Sequence, residues 1–284
     1  MNDLIVPIVT VVLSLISILS CGFVIYIYGR FRELRNDQFT IVLQIILFDL
    51  IYDLILFSDS IGYLFLRNST FQLSEKPVLC QAQSFFSVYS VLSSTFWTSI
   101  IIHSLYISLR ESEPNQYMQS YYPGLGYGIP LLISIIPIII DAYGQYYPMP
   151  QTNCFFDIYN ENMELYILVF FDIPIWTMFL YNIIVIILVI RRINQNSTIN
   201  QSLYSLFMYP MILVICWIIP GFVNIIGVKS VIWKSINFGL GSLIGFFDAY
   251  WYCYTSLSDR LTFENGKMIL RIKENAEEQE LPKI

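Results

Sequence analysis

Seven stretches of this 284-residue chain are too long and too apolar to fold in water, near 4–28, 39–66, 80–109, 123–143, 162–190, 203–227 and 232–257. Each runs about 20 residues or longer, enough for a helix to cross a hydrocarbon core of about 30 Å. Inside a bilayer the backbone must satisfy its own hydrogen bonds, so continuous runs of this length are read as helices. Charge agrees: 13% of the residues are charged, against about 25% in soluble domains. The sequence therefore predicts an all-α membrane protein, a seven-transmembrane helix bundle over 1–257 with a polar tail over 258–284.

The basic residues predict an orientation. Of the fifteen Lys and Arg, eleven fall in the first, third and fifth connections and in the tail, and four (Arg67, Lys76, Lys229, Lys234) fall on the other side. The positive-inside rule puts the eleven in the cytoplasm, hence the N-terminus outside and the C-terminus inside. The sequon at Asn68-Ser69-Thr70 then lies outside, as a glycosylation acceptor, while those at Asn196 and Asn200 lie inside and stay silent. No cleavable leader is expected. The first run has no basic segment before it and continues past Cys21 to Tyr28, although Ile18-Leu19-Ser20-Cys21 resembles a lipoprotein cleavage site. With three residues ahead of the first stretch, no ectodomain for a large ligand is expected. In the tail, Leu261, Phe263, Met268, Ile269 and Ile272 alternate with charge, which fits a short amphipathic helix on the membrane or a disordered segment. No internal repeat of the inverted-transporter kind is visible.

Few residue types here can carry chemistry. Cys21, Cys216 and Cys253 lie within apolar stretches and read as packing residues. Cys80, opening the third stretch, and Cys154, between the fourth and fifth, can pair in an oxidising compartment; the alternative is two free thiols. Asp49, Asp53, Asp59, Asp172 and Asp248 lie inside apolar stretches, where ionisable groups are costly and face a bundle interior. Asp49 and Asp53, four apart, share a helix face, and no Lys or Arg lies at their depth. Two readings stay open. In one, Asp49, Asp53, Asn224 and Asp248 form a polar core that changes hydrogen bonding or protonation as the bundle switches. In the other, these groups satisfy one another through Asn182, Asn224, serines and water. Pro210 and Pro220 bend the sixth stretch, as a hinge or as static packing. A lone histidine, His103, makes no metal cluster, and no phosphate loop, triad or intramembrane protease motif is present, so an enzyme is not expected and no cofactor is implied.

Particular strings carry a resemblance. The third stretch has Cys80, Gln83, Phe85, Ser93, Ser94, Trp97, Thr98 and Leu105-Tyr106; the sixth has Tyr209-Pro210 and Cys216-Trp217; the seventh has Gly245-Phe246-Phe247, Ala249 and Tyr252-Cys253. With seven spans, an outside N-terminus and a bridge from the third helix to the second external loop, the chain resembles a G-protein-coupled receptor. It resembles most the cyclic-AMP-receptor-like group of slime moulds, other protists and plants, and its seventh helix also resembles the secretin/adhesion class. The third stretch ends in HSLYISLR and the seventh lacks Asn-Pro-x-x-Tyr, so the rhodopsin-like motifs are absent.

The resemblance implies a plasma-membrane receptor. A small extracellular ligand would bind between helices 3, 5, 6 and 7, near Phe85, Tyr89, Trp97, Asp172, Trp176 and Trp217. A heterotrimeric G protein would dock on Arg32, Arg110, Arg191 and Arg192 at the other end. Outward cations sit only at the rim, whereas the interior offers acids and aromatics, which suits a neutral or cationic ligand better than a cyclic nucleotide. The alternative is a seven-helix scaffold or a proton- or cation-coupled transporter without G-protein coupling.

Overall fold

The computed structural model describes residues 4–31, 37–66, 77–110, 116–145, 154–157, 159–195, 208–216, 231–257, 261–264 and 267–270. Within these lie seven helices. They are α1 (Ile5–Arg30), α2 (Asp37–Leu66), α3 (Pro77–Arg110) and α4, which joins Gln116–Pro123, a π-helical turn at Gly124–Gly128 and Ile129–Ile139. Then come α5, which joins Met163–Ile167, a π-helical turn at Leu168–Asp172 and Ile173–Gln195, then α6 (208–216) and α7 (Val231–Leu257). Between α4 and α5 a two-stranded antiparallel ribbon pairs β1 (Tyr143–Gln145) with β2 (Cys154–Phe156). Among the described residues, α1 to α5 each hold a segment long and apolar enough to cross a membrane. The fold is a seven-helix membrane bundle.

The bundle is inverted relative to a water-soluble one. Outward positions carry large apolar side chains such as Leu19, Tyr26, Leu132 and Leu180. Small and polar side chains sit inside among the buried Ile, Leu and Tyr. On α1 the buried face reads Pro7, Thr10, Ser14, Ser17, Cys21, Val24, Ile27, a three-and-four spacing that draws one stripe down the helix. Small residues on that stripe let α7 come close, and α1 packs on both α2 and α7. Gly245 of α7 marks the closest approach: a Cβ there would lie 2.7 Å from Ser17 Oγ and 2.8 Å from Cys21 Sγ.

α3 is the central column. Residues 90–102 are buried on every side, because α2, α4, α5 and the ribbon surround it. A helix enclosed in this way needs no apolar stripe, and α3 spends its serines and threonines on its own backbone: Thr95, Thr98 and Ser99 each donate to the carbonyl four residues back. Where α4 meets α3, its π-helical turn brings Gly126 flat against the Trp97 indole, leaving no space for a Cβ.

α4 ends in a Schellman turn. Asp141 takes positive φ (51°), Ala142 N–H donates to Pro137 C=O at 2.8 Å, and Asp141 N–H donates to Ile138 C=O at 3.2 Å. The chain then turns directly into β1, where Tyr143 donates to Ser134 C=O at 3.1 Å. Burial pushes the Tyr143 phenol up, so it stays a neutral donor.

The tail departs from both expectations, an amphipathic helix and a disordered segment. It forms a second antiparallel ribbon, β3 (Leu261–Glu264) against β4 (Lys267–Leu270), with Leu261 opposite Leu270 and Phe263 opposite Met268. The physical reason is legible afterwards. Leu261 and Phe263, and Met268, Leu270 and Ile272, stand two apart, with Ile269 the exception, and the sequence Asn-Gly at 265–266 is a strong two-residue hairpin signal.

Candidate functional site

Two interior regions carry the polar and aromatic residues, one beneath the ribbon and one deeper between α1, α2, α3 and α7. Cys80 and Cys154 form a disulfide with Cα atoms 5.1 Å apart, fastening β2 to the start of α3. A second tie lies beside it, where Gln81 donates to Asp141 at 2.6 Å. Below the bridge, Val88, Leu92, Tyr143, Phe156, Ile175 and Phe179 form a buried cluster, with Phe85, Phe171 and Trp176 packed on its edge. Phe155 meets Phe171 edge-on at 5.1 Å and Trp176 meets Phe179 at 5.7 Å. Asp172 sits half-buried in the π-helical turn of α5, just ahead of Pro174. Asp59 accepts a hydrogen bond from Gln83 across α2 and α3.

The six aromatic and acidic ligand candidates do not form one group. Phe85 and Trp176 share the cluster beneath the ribbon. Tyr89 stacks on Phe85 at 5.8 Å but also meets Phe48 of α2 edge-on at 5.5 Å. Trp97 belongs to a different cluster: it is buried between α3 and α4, edge-on to Tyr127 at 5.1 Å. Trp217 lies outside the described residues, as do Asn224, Pro220, Arg32 and Asn68.

The deeper region is polar. Ser17 of α1 donates to Asp53 Oδ2 at 2.5 Å and Ser94 of α3 donates to Asp49 Oδ1 at 2.6 Å. Asp248 of α7 hydrogen-bonds to Asp49. The structure thus brings Asp49, Asp53 and Asp248 together with serines from α1 and α3. Asn182 of α5 is fully buried, and neither of its amide atoms has a partner among the described residues, so it does not join this network there. A cavity with room for about one water molecule lies among Asp49, Tyr52, Asp53, Ser94, Thr95 and the α7 glycines Gly241 and Gly245. Among the described residues no group of three or more His, Cys, Asp or Glu side chains is placed to hold a metal ion.

At the end away from the disulfide, Arg110, Arg191 and Arg192 are exposed. One turn and more inward, His103 Nδ1 and Tyr181 OH share a hydrogen bond of 2.5 Å that ties α3 to α5. Pro210 is buried within the described part of α6. Sequence reasoning passed over Ser17, Tyr52 and Tyr181. For Ser17 a signal existed, the run of small and polar residues at three-and-four spacing in the first stretch. For Tyr181, one tyrosine among twenty-one, nothing distinguished it.

Comparison with known proteins gives a consistent picture. Residues 3–247 match the family described as 7 transmembrane receptor (Secretin family). Adhesion G-protein coupled receptor D1 of Bos taurus is 25% identical over 224 residues, which is 74% of this chain and 24% of that protein. The chain therefore spans about a quarter of that relative's length. A seven-helix bundle, a bridge from α3 to the α4–α5 ribbon, and a family match over most of its length place this chain in the secretin family of seven-transmembrane receptors.

Proposed function

We propose that this receptor lies in the plasma membrane with its N-terminus outside, binds a small neutral or cationic ligand beneath the disulfide-tied ribbon, and passes the signal to a heterotrimeric G protein at the opposite end. The observation that carries the reading is the Cys80–Cys154 bridge, which fastens the ribbon beside Phe85, Phe171 and Trp176. Aromatic faces and the half-buried Asp172 favour a cation or an uncharged group over a phosphate. The strings in α3 and α6 that resemble the cyclic-AMP-receptor-like group keep that subgroup likeness within the proposal, without the cyclic nucleotide.

A ligand that binds one arrangement of the bundle better shifts the population toward it. In the signalling arrangement α6 swings outward with Pro210 as a hinge; Pro220, the second hinge expected from the sequence, lies outside the described residues. Arg110, Arg191 and Arg192, together with Arg32, then face the G protein. The eleven-to-four distribution of Lys and Arg supports this orientation, and Asn68 becomes an external glycosylation acceptor. The test is nucleotide exchange on co-expressed Gα subunits across a ligand panel, with surface expression verified. No stimulation of any Gα by any ligand refutes the coupling.

A second reading is kept by one observation, the buried carboxylates Asp49, Asp53 and Asp248. Under it the bundle is a proton- or cation-coupled transporter. Uptake into proteoliposomes that depends on a pH gradient and is lost in Asp49→Asn distinguishes it from the receptor.

A further inference from the structure

The ribbon that follows α7 has an apolar face, and neither of its strands packs extensively on another described element. α7 holds 27 residues and is about 40 Å long. That length crosses a hydrocarbon core of about 30 Å and ends in the headgroup layers. Three residues separate Leu257 from Leu261, so β3 starts within about 14 Å of the end of α7. The register places Leu261 and Phe263 of β3 on one face with their partners Leu270 and Met268 of β4. Thr262 and Glu264 share the other face with their partners Ile269 and Lys267. One face is therefore wholly apolar, and the other sets Glu264 opposite Lys267 beside the turn.

An isolated two-stranded hairpin is marginal in water and needs an apolar surface against its face. The bilayer is such a surface, within reach of a segment tethered this closely to α7. Among the described residues both outer edges of the ribbon are unpaired. Open edges do not enter hydrocarbon, so the ribbon can lie in the interface but cannot sink into the core. Charge fits the same position. Residues 258–273 carry four bases, Arg260, Lys267, Arg271 and Lys273, against two acids, Asp259 and Glu264, whereas 274–280 carry four Glu and no base. The basic excess thus belongs to the ribbon and its immediate flanks. We propose that the β3–β4 ribbon lies flat on the membrane, its Leu261, Phe263, Met268 and Leu270 face at the boundary of headgroups and acyl chains, and that its basic residues select anionic lipid. The lipid selection rests on the proposed cytoplasmic position of this end, since that leaflet carries the anionic lipids; the apolar contact does not rest on it.

The test uses the full chain in nanodiscs. Their two faces carry the same lipid, so the outcome does not depend on which end is cytoplasmic or on G-protein coupling. A nitroxide is attached to single cysteines introduced in turn at 261–264 and 267–270. The chain without an introduced cysteine, labelled in parallel, gives the background from the free thiols Cys21, Cys216 and Cys253. Collision with oxygen, which concentrates in lipid, and with a water-soluble nickel chelate is read at each site. High oxygen accessibility and several-fold lower nickel accessibility are expected at 261, 263, 268 and 270 relative to 262, 264, 267 and 269, a period of two. A period near 3.6 overturns the ribbon in favour of a helix. High nickel accessibility at every site overturns the membrane contact. Exclusion of both reagents from 261, 263, 268 and 270 overturns it in favour of a protein surface, this chain's own or a second copy's. In discs of phosphatidylcholine mixed with phosphatidylserine, nickel accessibility at 263 falls below its value in phosphatidylcholine alone, and Arg271→Gln with Lys273→Gln removes that difference. Equal accessibility in the two lipids overturns the selection of anionic lipid, as does a difference that survives the double variant.

Discussion

Gly245→Ala puts the packing of α7 on α1 and α2 to a quantitative test. The added Cβ lies 2.7 Å from Ser17 Oγ, 2.8 Å from Cys21 Sγ and 3.0 Å from Asp53 Oδ2. Real Cβ atoms do not approach so closely, so something must move. None of the three is the free end of a flexible chain: Ser17 and Cys21 are fully buried, and Ser17 is held on Asp53 by its hydrogen bond. Forcing extra volume into such a site costs about 1–3 kcal/mol. Replacing glycine by alanine in a helix returns up to about 1 kcal/mol. The net is a loss of about 1–2 kcal/mol, which for a chain of this size lowers Tm by about 3–6 °C. Gly241→Ala is the matched control on the same helix. Its Cβ meets only Tyr52 OH, at an ordinary 3.7 Å, so helix propensity dominates and Tm holds or rises slightly. Apparent Tm of the two purified variants, measured side by side in one detergent, decides. If Gly245→Ala unfolds at or above the temperature of Gly241→Ala, the close approach of α7 to Ser17 and Asp53 is wrong.

Ser17→Ala leaves Asp53 Oδ2 buried without its donor and costs about 1–3 kcal/mol; combined with Gly245→Ala the loss in Tm is less than the sum, because the nearest obstruction has been removed. Cys154→Ser opens a crosslink spanning 74 positions and lowers stability by about 2–5 kcal/mol, read as a fall in apparent Tm that dithiothreitol reproduces in the wild type and does not deepen in the variant. Tyr181→Phe removes the hydrogen bond to His103 at a cost of about 1 kcal/mol; in nucleotide-exchange assays it raises ligand-free exchange if this contact holds the resting arrangement, and unchanged basal exchange refutes that role.

The seven-helix bundle was legible because a bilayer leaves the backbone only one way to satisfy itself over runs of this length. The interior of the bundle was less so, for a reason that α3 illustrates. A helix buried on all sides has no face to distinguish, so the sequence offers no period from which to say that Trp97 turns to α4 while Phe85 turns toward α5. The π-helical turn at Gly124–Gly128 is equally silent in sequence, yet it is what brings Gly126 onto the indole. The tail ribbon is the opposite case: the Asn-Gly pair at 265–266, between Leu261 and Phe263 and Met268 and Leu270 at spacing two, is a hairpin signal, while the same apolar residues also fit an amphipathic helix.

The carboxylates show where one-dimensional reading stops and what replaces it. Their helix-face spacing gave Asp49 and Asp53 as a pair, but a pair on one helix does not say what it meets. The answer lies in the partners' smallness. Ser17 reaches Asp53 because α1 presents a stripe of small side chains. α7 reaches both because glycine stands at 241 and 245. A larger side chain at 245 would hold α7 off and let water reach the acids, where they would cost less than they do buried. Burial of these carboxyl groups is thus a property of four helices together, set by residues that carry no charge themselves. That is why substitutions at Ser17 and Gly245 are expected to act on Asp53 as strongly as substitution of the carboxylate's own neighbours in sequence.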